Sequence, residues 1–536
     1  ISLVENFDSA EVTNSPDIRL EFPRLEWRFD GESPINPEED GEATVGWTAL
    51  NDVTNLRVED GLLKGRAGEM PVVSVAVPED AFPDDRLHAV EIKLRISQGA
   101  QLGVENFRRE EIDTEDWFKE LRNTGLASYM IDVKPGDEVA TYTLGEAQAT
   151  FSKMEAIGSV RHMALTFFDA DGADFAIESV RIVPRTEHLA GVPAGIGWHG
   201  LGGVFRETLV ARAPERLTWR QELGERPWLD LAVGTPDNHP ITFRVEASSE
   251  GIEPLVRKRT VTDGNSWETL QLDLEEMAGR EVELTLSLAS DEDGHIGFWG
   301  APAIRYRGAP PAVAEPAPAR AALGGPEVPR GVILIVADTL RRDHLDAWGY
   351  DRPTAPTITT LAAAGTRFAD NISQGAWTKV AVPSLLTSLY ASSHGIYDIP
   401  HKIPSSVTTL SEAFREAGYA TFHTSSVTFS GKNSNLHQGV EVLHERESID
   451  DLGEYHSKTS RTYVDRLLPW LEDHAEQPFF VFLHVFDPHS PFRPLHPHDE
   501  RWLDSEAIAR HEGNLEEIKE VVEYFHHLPS DDHLAE

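Results

Sequence analysis

The sequence predicts a multidomain chain in which two β-sandwiches precede an α/β domain built on a parallel sheet. Three observations predict it. A chain of 536 residues exceeds what one hydrophobic core organises, and a 40% hydrophobic fraction is ample for folded cores. Short runs of alternating apolar and polar residues fill positions 1 to about 308. After a Pro- and Ala-rich stretch at 309–330, strands begin to alternate with helices.

In the first half, Val90, Ile92, Leu94 and Ile96 fall on one face of an extended run, with Glu91, Lys93 and Arg95 on the other. That is the signature of a half-buried strand. The same alternation recurs at 243–247, 270–274 and 282–288, separated by Gly, Asp, Asn and Pro, which favours antiparallel sandwiches. The first unit closes with the strand Phe175 to Pro184 and the second with Ile296 to Tyr306, giving domains at 1–187 and 188–308. The second unit, where Asn265-Ser266-Trp267-Glu268 and Met277-Ala278-Gly279-Arg280 lead into alternating strands, resembles the jelly-roll modules of secreted carbohydrate-active enzymes. That resemblance implies an extracytoplasmic protein and makes Trp27, Trp198, Trp219 and Trp299 candidates for a sugar platform, against core packing as the alternative.

The stretch 309–330 reads as a stiff, extended linker. Beyond it, at 331–536, the pattern predicts a strand at 331–337, helices at 358–365, 382–390 and 410–417, a strand at 420–424, a helix at 460–474 and a strand at 478–485. The order is that of a parallel sheet, whose ligands gather at the carboxyl ends of the strands. Asp338 stands at such an end, after the run Gly331 to Ala337.

The net charge of −42, from 48 Lys plus Arg against 90 Asp plus Glu, argues against nucleic acid or an anionic membrane as a bulk partner. There is no cysteine, so disulfides and thiolate metal sites are excluded. No apolar run approaches the roughly 20 residues of a membrane span. The chain opens on Ile1, and a helix expected at 515–527 is followed by little more, so it reads as a processed or partial chain.

Four strings carry a resemblance: VILIVADTLRRDHLDAWGY, TAPTITTLAAAGTRFADNIS, WTKVAVPSLLTSLYASSHG and PFFVFLHVFDPHSPF. In this order and spacing they resemble the amino-terminal half of the sulfatase family within the alkaline phosphatase superfamily, over about 331–500. The resemblance implies an alkaline-phosphatase-like α/β domain that is incomplete at its carboxyl end, a divalent metal (calcium, zinc or manganese) and an ester substrate. It also implies a metal-binding role for Asp338. Many sulfatases have two adjacent acids there; this chain has Asp338-Thr339. Aligning Leu385-Leu386-Thr387-Ser388 on the family's Leu-Leu-Thr-Gly puts Thr378 where the formylglycine-forming Cys would be, as nucleophile and metal ligand, with Ser384 as the alternative nucleophile. A Thr cannot become formylglycine, so the chemistry leans from sulfate towards phosphate esters and diesters. Pro488-His489-Ser490-Pro491 matches a Pro-His-x-Pro element, implying contact of His489 with the ester or a second metal. From ligand chemistry, Asp487 and His489 together are the alternative, as holders of a second zinc or manganese ion, and His484 is a substrate contact or a core histidine. Lys432, in Gly431-Lys432, takes the place of a lysine that neutralises an ester oxygen, or is a solvated loop lysine. Arg341, Arg342 and His394 are weaker candidates. The family's later Asp-His-Gly element is missing; Asp532-His533-Leu534 imitates it without a preceding strand.

Two functions from different classes follow. One is a metal-dependent hydrolase or transferase of sulfate or phosphate esters, carried on a glycan or lipid. The other is a non-catalytic glycan-binding surface protein with a relic sulfatase domain.

Overall fold

The computed structural model describes residues 1–16, 25–33, 44–77, 87–107, 125–145, 149–152, 159–190, 194–236, 239–264, 266–308, 330–398, 401–445, 459–489 and 501. The stretch expected to be a linker, from 309 to 329, lies outside them, as do the helix expected at 515–527 and Asp532-His533-Leu534.

The first sandwich is one antiparallel sheet whose long strand Leu62–Ala76 serves both ends, pairing Leu63–Arg66 with Ile177–Asp174 and Val72–Ala76 with Thr166–His162. The expected strand forms as Leu87–Ile96, and Val90, Ile92, Leu94 and Ile96 all point into the core with Trp27, Trp47 and Phe167. Residues 1–13 do not join this unit. Leu3 and Val4 pack in the core of the second sandwich, and Glu11–Thr13 pairs with Arg216–Thr218. Three residues of exposed strand with little alternation carry no sign of that long-range partner.

The second sandwich sets a five-stranded sheet (11–13, 216–222, 281–289, 241–249, 252–261) against strands 195–201, 204–212, 296–306, 227–234 and 268–273. The hairpin joining 195–201 to 204–212 turns on Gly202 and Gly203, both at positive φ (55° and 70°), as a two-residue primed turn requires. Trp299 is fully buried and meets Phe243 edge to face at 4.9 Å. Burial of each such ring contributes about 1.5–3 kcal/mol. Trp27 and Trp219 are buried as well, and Trp198 packs edge-on against His437. Trp27, Trp219 and Trp299 are packing residues, whereas Trp198 is half-buried and lines a cavity with Glu207 and Arg415; alternation with polar neighbours is what a core face looks like too.

The α/β domain has β1 (Gly331–Ala337), α1 (Pro356–Ala364), α2 (Thr378–Thr387), α3 (Leu410–Glu416), β2 (Ala420–Ser425), β3 (Val442–Glu445), α4 (Thr459–Asp473) and β4 (Phe479–Val485). The strands run parallel in the order β3-β2-β4-β1. α3 begins on a capping box, in which the Thr409 hydroxyl accepts from the Glu412 amide and the Glu412 carboxylate from the Thr409 amide. β3, only four residues long, was not expected, yet it joins the domains. Val442–His444 pairs with Arg206–Val204, so the sandwich sheet and the parallel sheet are one nine-stranded sheet. β1 is the edge strand, and Ile333 (46%) and Ile335 (60%) on one of its faces are open among the described residues. No helix among the described residues is long and apolar enough to cross a membrane.

A buried ion cluster lies on this junction. The Arg305 guanidinium donates to Asp230 Oδ2 (2.9 Å) and Glu441 Oε2 (3.0 Å), and His474 Nε2 lies 3.0 Å from the same Asp230 oxygen. Burial alone would raise the Asp230 carboxyl, but Arg305 and His474 hold it well below the usual carboxylate range.

Candidate functional site

β1 ends at the carboxyl edge of the parallel sheet, and the Asp338 amide donates to Val485 O of β4 (2.9 Å). The chain then turns at Thr339, a β-branched residue at φ 56°. Such strain concentrates at functional sites. α2 starts at Thr378, four residues before the expected helix, because Trp377 is already extended and serves as its N-cap. Thr378 therefore stands in the first helical turn, and its Oγ1 donates to Asp338 Oδ2 at 2.8 Å. Forty residues apart in sequence, the two expected partners are in contact.

His484 is fully buried on β4. Its Nδ1 accepts the Ser426 amide at 3.3 Å, so the proton sits on Nε2, which points at Asp338 Oδ2 from 3.4 Å. Nε2 has no firmer hydrogen bond among the described residues. His484 thus backs Asp338 rather than reaching a substrate. Burial pushes the Asp338 carboxyl up, but His484, Thr378 and the nearby His489 together bring it below its ordinary value. An ionised acceptor is what a donating threonine hydroxyl needs. The His489 ring lies flat on Phe486, centroids 3.9 Å apart, close enough to Asp338 to contribute to its charge.

Two expected site residues are held by other partners. Asp487 faces the start of α4, where Oδ2 accepts from Thr459 Oγ1 (2.8 Å) and the Ser460 amide (2.8 Å), and Oδ1 from Ser460 Oγ (2.6 Å). A carboxylate at a helix N-terminus satisfies orphan amides and the helix dipole, so Asp487 anchors α4 to β4. Lys432 lies at the domain junction, its ammonium over the Phe205 ring and 3.6 Å from Glu445 Oε2. It is neither a solvated loop lysine nor near Asp338 through any of these contacts.

Of the weaker candidates, Ser384 and His394 are buried together, 2.9 Å apart. Because His394 Nδ1 accepts the Ile396 amide at 3.2 Å, Nε2 donates to Ser384, which leaves that serine without a base. Arg341 pairs with Asp343 on the surface and Arg342 donates to Ala369 O.

Lys379 was missed. It follows Thr378, is fully buried, and donates from Nζ to Asn433 Oδ1 at 2.5 Å with the Phe429 ring 5.5 Å away. Burial, reinforced by Lys402, brings its ammonium down to about 7. The only sequence signal is its place in a helix turn beside Val380 and Val382, both buried. The depressed value makes a pH prediction. The unfolded chain keeps its proton up to about 10.4, so between about pH 7 and 10 it binds more protons than the folded chain and stability rises with pH. The excess stability of wild type over Lys379→Met should therefore grow from pH 7 to 9.5 in denaturant unfolding. A difference that is flat or falls with pH would refute the buried, deprotonating lysine.

The fold and this geometry define an α/β domain with a strand-end carboxylate, a helix-start hydroxyl and a supporting histidine at the carboxyl edge of a parallel sheet. Residues 330–535 match the Sulfatase family model, and this part of the chain is a sulfatase-family domain. The Escherichia coli (strain K12) protein YhbX, whose name gives transferase activity only provisionally, is 24% identical over 165 residues, covering 31% of this chain and 28% of that protein. The match thus spans under a third of the curated relative. Among solved structures, the phosphonate monoester hydrolase of Agrobacterium radiobacter is 18% identical with a TM-score of 0.28, covering 32% of this chain and 44% of that one. The tandem CBM22 domains of Paenibacillus barcinonensis Xyn10C are 14% identical with a TM-score of 0.23, covering 52% and 96%. Likenesses of this size carry no argument about activity or ligand.

Proposed function

We propose that the sulfatase-family domain hydrolyses or transfers sulfate or phosphate esters with Thr378 as nucleophile, and that phosphoesters and phosphodiesters are the preferred class. The observation that carries this reading is the 2.8 Å hydrogen bond from Thr378 Oγ1 to Asp338 Oδ2, at the end of a parallel strand and backed by a buried histidine. A carboxylate and a hydroxyl side by side are oxygen donors that suit calcium, manganese or zinc, so Asp338 and Thr378 would hold the divalent ion of this family. Asp487, the further ligand expected, accepts from Thr459 and Ser460 and would have to share those oxygens with the ion. Such an ion supplies Lewis-acid stabilisation of charge on the transferred group.

The chain's own residues do the rest. Asp338 accepts the Thr378 proton as Oγ1 attacks phosphorus or sulfur in line, the ester P–O or S–O bond opposite breaks and the alcohol leaves. Water or an acceptor alcohol then displaces Thr378 Oγ1 in a second in-line step; His484 fixes the carboxylate from behind. The first turn of α2 presents amide dipoles to the anionic group. Lys379 ties α2 to the loop carrying Asn433 and so holds the nucleophile's helix in place. His489, braced on Phe486, is set to meet the ester. The ester would be carried on a glycan or lipid outside the cytoplasm.

Asp338→Asn keeps the shape but removes the negative acceptor. It should lower turnover by about 10²–10⁴-fold, the range for losing a positioned base. The assay is turnover of the full-length protein on an aryl sulfate, a phosphomonoester and a phosphodiester with excess divalent ion. Loss of less than about threefold on every ester would sink the assignment.

A further inference from the structure

A second cluster of metal-ligating side chains lies far along the chain from Asp338. His239 precedes strand 241–249, Asp291 follows strand 281–289, and His295 precedes strand 296–306. One ligand atom from each lies within 4.8 Å of the other two, the only such group of His, Asp and Glu among the described residues. The imidazoles of His239 and His295 have centroids 4.3 Å apart. The Ser290 hydroxyl reaches both Pro240 O (3.0 Å), next to His239, and Asp291 Oδ1 (3.1 Å), so one side chain already holds the two loops together and orients the carboxylate. That hydroxyl is also the first cause of the Asp291 carboxyl lying below its ordinary value, with His239 adding to it. His239 and Asp291 are exposed and His295 half-buried, so an ion has a path in from solvent.

We propose that His239, Asp291 and His295 form a binding site for a divalent transition-metal ion that clips together the two sheets of the second sandwich. Strands 241–249 and 281–289 belong to the five-stranded sheet, and strand 296–306 to the nine-stranded one. An ion held by all three residues therefore closes one end of the sandwich across its core. Zinc–ligand bonds of about 2.0–2.1 Å place donors of a tetrahedral ion roughly 3.3 Å apart. The present separations, up to 4.8 Å, have to close to that value when the ion binds. Two imidazoles and one carboxylate suit zinc and its neighbours, while calcium and magnesium require oxygen ligands. The fourth position faces solvent and is left for water.

The test is zinc titration of the whole chain by calorimetry, with thermal unfolding in parallel, on wild type, His239→Ala/His295→Ala and Asp291→Asn. Wild type should bind one zinc equivalent more than the double variant, Asp291→Asn should bind that equivalent at least tenfold more weakly, and calcium should not replace it. Zinc should raise the wild-type melting temperature, since a ligand of the folded state stabilises it, and this rise should be lost in the double variant. Circular dichroism establishes that each variant is folded, and Asp291→Asn, an exposed isosteric change, decides the matter should the double variant not fold. Equal zinc stoichiometry and equal melting shifts in wild type and variants, or no zinc bound by wild type, would overturn the proposal. So would equally tight binding of calcium by the same residues.

Discussion

Thr378→Ala is expected to lower turnover by about 10⁴-fold or more, because removing a nucleophile leaves only binding and electrostatic stabilisation. Thr378→Ser should retain much of the activity, since the hydroxyl that donates to Asp338 at 2.8 Å is kept and only a methyl is lost. The pair of variants separates two roles. A residue that merely started α2 would tolerate alanine well, because its main-chain position and not its hydroxyl would matter. Retention of more than about a tenth of wild-type turnover in Thr378→Ala would therefore refute the nucleophile. Binding of substrate should change much less than the rate of the chemical step, so the loss should fall mainly on kcat.

Arg305→Met is expected to destabilise the junction between the second sandwich and the α/β domain by about 3–5 kcal/mol, the cost of breaking one side of a buried ion pair. Arg305 compensates both Asp230 and Glu441, all three being nearly inaccessible. Without it, two carboxylates face each other's field, with His474 and Gln271 left beside Asp230 and Arg206 as the nearby cation. Arg305→Met/Glu441→Gln should recover part of the loss because one unpaired charge is removed with its partner. Trp228 and Trp470 both pack against His474, so their fluorescence reports unfolding at this place. A shift of less than about 1 kcal/mol in the denaturant-unfolding free energy for Arg305→Met would show that the cluster is solvated and contributes little.

The two predictions rest on features that differed in how well they could be read from the residues. The strand at 331–337 and its terminal Asp338 were legible, because a run of Val, Ile and Leu ending in an acid has few other readings. β3 was not, because Val442–Glu445 is too short to show a period and forms by pairing with Arg206–Val204 from another domain. Thr378 was singled out only through the family resemblance, by aligning Leu385-Leu386-Thr387-Ser388 on Leu-Leu-Thr-Gly, whereas its neighbour Lys379 was overlooked, since nothing local says that a lysine in a first helical turn will be buried against Asn433. The contacts of Asp487 were not legible. A strand-end acid has two common occupations, a metal and a helix N-terminus, and only the position of Ser460 and Thr459 decides between them. Lys432 sits beside a glycine as the family resemblance requires, yet its partner Glu445 and the ring of Phe205 are assembled by the domain junction. The Trp residues show the same limit. An aromatic on a sandwich strand serves a ligand or a core, and Trp27, Trp219 and Trp299 turn inward.

The central claim is that Thr378, poised on Asp338, attacks the ester. The most direct measurement is acid-quenched turnover of the full-length protein on a phosphoester, followed by mass analysis of the peptide containing Gly375 to Leu386. The account predicts a covalent adduct of the transferred group on Thr378 that forms in wild type and in Thr378→Ser and is lost in Thr378→Ala. An adduct on Ser384 or another residue, or steady turnover by Thr378→Ala with no adduct on any peptide, would contradict it.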